Sequence, residues 1–326
     1  MSELRWNPTL EEWVVTATHR QDRTFFPPPD YDPLAPTKPG GFPTEIPASA
    51  YEIVVFENKF PSFRPEPPQP SVEGSVLYPV RPASGVCEVI CYTPNLDAEL
   101  AQLPAAKLRE LVRVWAERFK DLGDRPYVDY VYIFENKGKE IGVTLPHPHG
   151  QIYAYPFVPP IPAKEVAAAR SYTARTGRNL YDDIIARENH DGVRIVWQNA
   201  SFLCVVPFYA RYPYEVHIIA ERAHTSLKQM GTKELNDLAE ALRVIGQKYN
   251  ALWNKSLPYI MLMHQSPTTG ASYDEYRFHV EFYPPYRTPE KLKYLAGSEA
   301  GAGVFINDTH AEDTAKILRD TAPLQW

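Results

Sequence analysis

His147, His149 and Gln151 stand at alternate positions at the end of an eighteen-residue stretch, 134–151, that also carries Glu135, Asn136, Lys137, Lys139, Gly138 and Gly142. The stretch runs on into the alternating apolar run Ile152-Tyr153-Ala154-Tyr155. On a strand, residues two apart share a face, so the two imidazoles and the amide are expected to point the same way. The glycines ahead of them let backbone approach a ligand closely, and the two lysines bring positive charge beside the loop. Imidazoles, an amide, backbone donors and lysines together suit a phosphate ester. A histidine can attack phosphorus and hold it as a covalent phosphoramidate, while amide donors stabilise charge on the non-bridging oxygens. Alone, His-Pro-His would also serve in a turn or a metal site.

The elements that position this stretch follow from local pattern. Strands are expected at 13–18, 51–56, 75–81, 85–92, 131–134 and 259–262, and a helix over 105–121 is marked by Leu108, Leu111, Val112, Val114 and Trp115. A further helix is expected over 173–188. Thirteen of the 33 prolines fall between Pro27 and Pro70, so residues 27–50 read as an extended, irregular arm. Sliding the chain on itself by 127 positions gives six identities over 28 positions, among them Glu88 on Glu215, Leu100 on Leu227 and Leu108 on Leu235. In both copies a strand leads through a loop into an amphipathic helix and another apolar strand. The chain therefore reads as a duplicated α+β unit with antiparallel sheet.

Composition excludes several classes of function. With 44% hydrophobic and 23% charged residues the chain is not disordered, and 326 residues suffice for a large core. A net charge of −6, with both signs interspersed, argues against a face for long nucleic acids. No apolar run has the length of a membrane span, and the start lacks the apolar core of a secretory signal. Three scattered cysteines, Cys87, Cys91 and Cys204, make no disulfide framework. The expectation is a soluble, cytoplasmic protein that binds neither nucleic acid nor membrane.

The stretch 134–151 resembles the active-site signature of the galactose-1-phosphate uridylyltransferases (family 1): Phe-Glu-Asn-Lys/Arg-Gly, three residues, Gly, four residues, His-Pro-His, one residue, Gln. Every fixed position and both spacings are met, and the resemblance extends from His19 to about Leu318. It implies a duplicated histidine-triad-like fold, a mainly antiparallel sheet (half-barrel) flanked by helices. The first repeat, 1–195, would hold the active site and the proline-rich arm, and the second, 196–326, a degenerate site. It implies that His149 takes a uridylyl group from UDP-glucose and that a hexose-1-phosphate then attacks the same phosphorus in a ping-pong cycle. No general base is needed, because the incoming phosphate is already an anion. The backbone of His147 would orient His149, and Gln151 would bind the transferred phosphoryl oxygens. Arg20 and Arg23 resemble the pair on the nucleotide phosphates, and Asn58, Asn136, Gly142 and Thr144 match positions near the uridine and phosphates. Lys293, Tyr294 and Glu299 match a segment that a partner subunit contributes to the hexose site, which implies a homodimer with shared active sites.

Two departures stand out. Relatives often hold a structural zinc between a Cys-x-x-Cys pair and two histidines, one of them equivalent to His147. Here the arm reads Pro29-Asp30-Tyr31-Asp32-Pro33-Leu34 and the other histidine position is Leu96, so no zinc is expected there. The prolines are expected to stiffen the arm in its place, and Cys87 and Cys91 to be buried thiols. A second family metal site, usually iron or zinc, would here be Glu165, His264, His279 and Glu281, a sound mixed imidazole–carboxylate set. His279 and Glu281 are expected to occupy the second repeat's version of His147 and His149. At the hexose end, Ser298 and Phe305 replace a tyrosine and a glutamine, and a phenylalanine cannot hydrogen-bond a sugar. Competing readings are an ADP-glucose or dinucleoside-polyphosphate phosphorylase using the same histidine, and a nucleotide-binding protein without turnover.

Overall fold

The computed structural model describes residues 2–22, 27–28 and 30–324. In chain order it comprises β1 (Ser2–Asn7), β2 (Glu12–Ala17), β3 (Val54–Glu57), β4 (Val80–Pro82), β5 (Val86–Cys91), α1 (Ala105–Gly123), β6 (Tyr130–Lys137) and β7 (His149–Tyr155). Then follow α2 (Pro160–Thr176), α3 (Leu180–Asp191), β8 (Ile195–Gln198), β9 (Phe202–Val205), β10 (Val216–Ala220), α4 (Thr232–Leu252), β11 (Tyr259–His264), β12 (His279–Tyr283) and α5 (Ala311–Asp320). No helix among the described residues is long and apolar enough to cross a membrane.

Nine strands form one antiparallel sheet in the order β3-β5-β7-β6-β11-β12-β10-β9-β8. Alternation along the strands divides the chemistry cleanly. Val86, Ile90, Val131, Ile133, Ile152, Ala154, Val216, Ile218, Met261 and Val280 face α1, α4 and α5 and make the main core. The opposite face carries His149, Gln151, His217, His264, His279 and Glu281. In the first half that face is covered by the arm, through Leu34 and Ile46 on Val89 and Cys91, and by the small sheet β2-β1-β4 through Leu4, with Phe63 of the loop before β4, on Cys87. In the second half α2 and α3 cover it.

A pseudo-two-fold axis runs between β6 and β11. One row crosses the sheet as Phe56, Val89, Gln151, Phe134, Leu262, Glu281, His217 and Val205, each directly opposite the next. With Phe134 matched to Leu262, the row pairs Gln151 with Glu281 and therefore His149 with His279. The expected match of His279 and Glu281 to His147 and His149 is thus out by two residues. The offset of 127 also needs correction in the strands. The 3-10 turns at Leu100–Gln102 and Leu227–Gln229 keep it, but a strand offset must be even to preserve faces, so Glu88 does not correspond to Glu215.

Two local expectations also change. The helix expected over 173–188 is two helices: Gly177 closes α2 at a φ of 72°, and the Asn179 side chain caps α3 by accepting from the amides of Tyr181 and Asp182. Of the strand expected over 75–81 only its end forms, because Ser75 closes a turn with Tyr78 ahead of Pro79.

Beneath the motif strand, a Cβ on Gly150 would lie 2.3 Å from the Tyr92 hydroxyl oxygen and 3.1 Å from the Phe134 carbonyl oxygen, so only glycine fits. Tyr92 and Tyr259 donate to the buried carboxyl of Glu135 at 3.3 and 3.4 Å. Burial pushes that carboxyl up to about 7. Between the ordinary carboxylate value and that point the folded chain binds more protons than the unfolded one, so this group's contribution to stability falls as pH rises. Glu135→Gln removes the titration. Relative to wild type the variant is expected to gain on the order of 3 kcal/mol of stability between about pH 5 and about pH 8. Denaturant melts at both values check this, and a difference that does not change with pH contradicts it.

Candidate active site

His149 opens β7, and its Nδ1 lies 2.7 Å from the backbone carbonyl oxygen of His147. A carbonyl only accepts, so Nδ1 carries the proton and the lone pair of the neutral ring is on Nε2. His149 lines two cavities. One, of about 210 Å³, is walled by Pro27, Tyr31, Leu34, Asn58, Phe60 and Gln151; the other, of about 480 Å³, by Glu99, Asn136, Lys137, Lys139 and Pro148. Thr144 and Leu145 belong to both walls. A reacting group at His149 is thus reached from two sides.

The structure separates the two histidines that the alternate spacing placed on one face. His147 precedes the strand, and its ring is buried against the arm with Nδ1 2.7 Å from Asp32 Oδ2. Only its backbone carbonyl serves His149. Gln151 does share the face, and its Oε1 accepts from the Tyr153 hydroxyl at 3.2 Å. Arg20 donates from Nη1 to the Phe60 carbonyl (3.0 Å) and to Ser62 Oγ (3.1 Å), bracing the loop that carries Asn58. Asn58 in turn accepts from the Phe60 amide at 2.9 Å. Arg23 lies outside the described residues. Gly142 closes the turn Lys139–Ile141 with a φ of 85°. Lys137 is committed elsewhere, to Glu99 at 2.7 Å and Asn250 at 3.1 Å, so its charge is neutralised beside the loop.

The segment 293–306 folds on itself. Lys293 Nζ meets Glu299 Oε1 at 3.4 Å and the Ile306 carbonyl, Ser298 Oγ donates to the Val304 carbonyl at 2.7 Å, and Tyr294 is exposed. Phe305 packs on Tyr212 and under the Arg211 guanidinium.

In the second half, Glu165 from α2 meets His264, His279 and Glu281 from the sheet, and one ligand atom of each lies within 4.8 Å of all the others. Glu165 accepts from His264 Nδ1 at 2.9 Å and from the Tyr276 hydroxyl at 2.5 Å. Glu281 is also held by His217 (3.2 Å), Arg211 (3.3 Å) and the Tyr283 hydroxyl. Burial disfavours charge on both acids, yet the facing imidazoles keep both carboxyls below their ordinary range. Burial likewise opposes charge on His279, and Glu165 and Glu281 overcome it, pushing the imidazole up to about 10. Two carboxylates and two imidazoles fit iron or zinc. At the other family metal position the donors do not fit zinc: the surroundings of His147 are Asp32, Tyr51 and the Thr93 carbonyl, with Leu96 on the cavity wall. Cys87, Cys91 and Cys204 are buried, and burial pushes the first two thiols up to about 11 and about 12.

Comparison with known proteins agrees along the whole length. The family described as galactose-1-phosphate uridyl transferase, N-terminal domain, matches residues 1–159, and its C-terminal domain matches residues 165–322. The galactose-1-phosphate uridylyltransferase of Thermotoga maritima is 37% identical over 98% of this chain and 99% of its own. A solved uridylyltransferase structure is 33% identical and superposes with a TM-score of 0.87 over 98% of each chain. An ADP-glucose phosphorylase from Arabidopsis thaliana, 21% identical with a TM-score of 0.72 over 99% of each chain, shares the fold. On these grounds the chain belongs to the galactose-1-phosphate uridylyltransferase family.

Proposed function

We propose that this protein moves a uridylyl group between UDP-glucose and a hexose-1-phosphate, galactose-1-phosphate being the first acceptor to test, with His149 as the covalent carrier. The observation that carries the reading is the hydrogen bond from His149 Nδ1–H to the His147 carbonyl, which puts the lone pair of the neutral ring on Nε2 in a residue that lines two cavities. Nε2 attacks the α-phosphorus of UDP-glucose, the N–P bond forms, and the bond to the glucose-1-phosphate oxygen breaks. The ring gains positive charge as it attacks, and the fixed carbonyl dipole faces that charge without reorganising. A phosphate oxygen of the acceptor then attacks the same phosphorus and the N–P bond breaks. No proton moves in either half.

Gln151, on the face of His149, is proposed to donate from its amide to the phosphoryl oxygens. Asn58, Thr144, Asn136 and Gly142 line or shape the cavities, and Arg20 and Arg23 are assigned to the phosphates. We assign the two repeats to residues 1–195 and 196–326. The apolar Leu295, Val304 and Ile306 and the exposed Tyr294 support contact with a second copy, so a homodimer is proposed in which 293–306 reaches the partner's site. Since Lys293 and Glu299 close that segment internally, Tyr294 is its free contact. A cytoplasmic location is proposed, and the three buried free thiols support it. Glu165, His264, His279 and Glu281 would hold one iron or zinc ion, which supplies a structural tie of α2 to the sheet.

Incubation with UDP-glucose labelled at the α-phosphorus is expected to leave label on His149. Wild-type turnover with no labelled protein, or a His149→Gly variant as active as wild type, contradicts the mechanism. Gln151→Ala is expected to lower kcat about 100-fold with little effect on folding, the usual cost of one oxyanion-type donor; an unchanged kcat removes that role. Metal analysis is expected to find one iron or zinc per chain, lost in His264→Ala together with several degrees of melting temperature. Metal content equal in both proteins contradicts the site.

A further inference from the structure

The two repeats hold their key histidines by the same device. His149 Nδ1 meets the carbonyl of His147 at 2.7 Å, and His279 Nδ1 meets the carbonyl of Arg277 at 2.9 Å. The residue that lends the carbonyl is in each case a buried nitrogen base: His147 is 1% exposed and Arg277 0%. Each base is paired with an aspartate from the layer that covers the sheet, Arg277 with Asp182 of α3 and His147 with Asp32 of the arm. Each also donates to carbonyls at or just beyond the end of the neighbouring strand. Arg277 Nη1 reaches Ala220 (2.9 Å), the last residue of β10, and Glu221 (2.7 Å) after it, and His147 Nε2 reaches Thr93 (2.7 Å) after β5. Thr93 and Glu221 differ by 128, the same offset that matches Phe134 to Leu262.

A guanidinium is always charged, so the second-repeat clamp is a cation locked by its counterion. The first-repeat ring makes the same demands. Nε2 faces a carbonyl, which can only accept, and the Tyr51 hydroxyl at 2.8 Å, which donates to Leu34 or Thr93. Nδ1 faces a carboxylate. Both nitrogens must therefore donate, which only the imidazolium does.

We infer that Asp32 is a positioning residue of the active site: it holds His147 as a buried imidazolium and, through the His147 carbonyl, sets the ring of His149. Asp32 reaches this place because its Oδ1 also accepts from the Leu34 amide at 3.0 Å, turning the arm so that Leu34 is buried on Val89 and Cys91. The clamp ties the arm to the sheet by charge. The carboxylate thus adds a polar fastening of the arm to the apolar packing of Leu34 and Ile46.

The inference rests on His149 being the nucleophile, so its test has an arm independent of activity. Nitrogen NMR of the histidine rings in the whole wild-type protein near pH 7.5 is expected to show both His147 nitrogens protonated, and Asp32→Asn, which keeps the shape without the charge, to lose that signature. In single turnover with labelled UDP-glucose, Asp32→Asn is expected to slow label uptake on His149 about tenfold and Asp32→Ala about 100-fold, with KM for UDP-glucose within a few-fold. Metal content per chain stays the same in all three. A singly protonated His147 in wild type overturns the inference, as does label uptake by Asp32→Ala at the wild-type rate or a loss confined to KM. A metal count lower by one in Asp32→Ala also overturns it, making the residue a ligand. Wild type that takes no label defeats the transferase reading instead, while the ring spectrum still decides the clamp.

Discussion

One hydrogen bond organises the active half of this protein. The Nδ1–H of His149 is given to the backbone carbonyl of His147, and this fixes the tautomer and the ring plane, with the lone pair of the neutral ring on Nε2. A backbone acceptor is well suited to the task because it cannot titrate. The tautomer therefore holds at every pH at which the ring is neutral. What surrounds the bond can be understood as holding that carbonyl still. Gly150 lets β7 lie close over Tyr92, the Tyr92 amide donates to the Pro148 carbonyl at 3.3 Å, and the His147 ring is buried with both nitrogens engaged.

The open sheet explains how one ancestral arrangement serves two ends. Antiparallel pairing of β6 with β11 joins the repeats edge to edge, so both sites lie on one face, and all main-core apolar residues lie on the other. What differs is the cover. An arm with few backbone donors covers the cavities beside His149, whereas α2 brings Glu165 down onto His279, beside a cavity of about 320 Å³ that Glu165, His217, His279 and Glu281 line. At the equivalent sheet position Gln151, a neutral donor, contrasts with Glu281, an anion. Under the proposed function, phosphoryl oxygens suit the first and a cation the second.

Much of this is legible in the sequence because it is local. The motif 134–151 carries its chemistry in residue types and spacing, and β5, β6, β7, α1 and β11 follow from apolar alternation or periodicity. What was hidden depends on contacts between distant residues. Asp32 lies 115 positions from His147, and nothing near it in sequence marks it as a partner. The break between α2 and α3 turns on Gly177 and Asn179, which a pattern of apolar residues passes over. The helix α2 escapes notice because it begins at Pro160 and buries only Pro162, Val166 and Ala169. The register of the repeat was out because a single-residue gap between strand and helix preserves chain identities while it exchanges the faces of the strand.

The proposed transfer turns on the atom of His149 that forms the bond to phosphorus. Phosphorus and nitrogen NMR of histidine-labelled protein, trapped with UDP-glucose and no acceptor, reads that atom directly. Coupling of the new phosphorus signal to Nε2 of His149, with Nδ1 still protonated and hydrogen-bonded, is the predicted result. A phosphorus coupled to Nδ1, bonded to another residue, or never bonded to protein during turnover would contradict it.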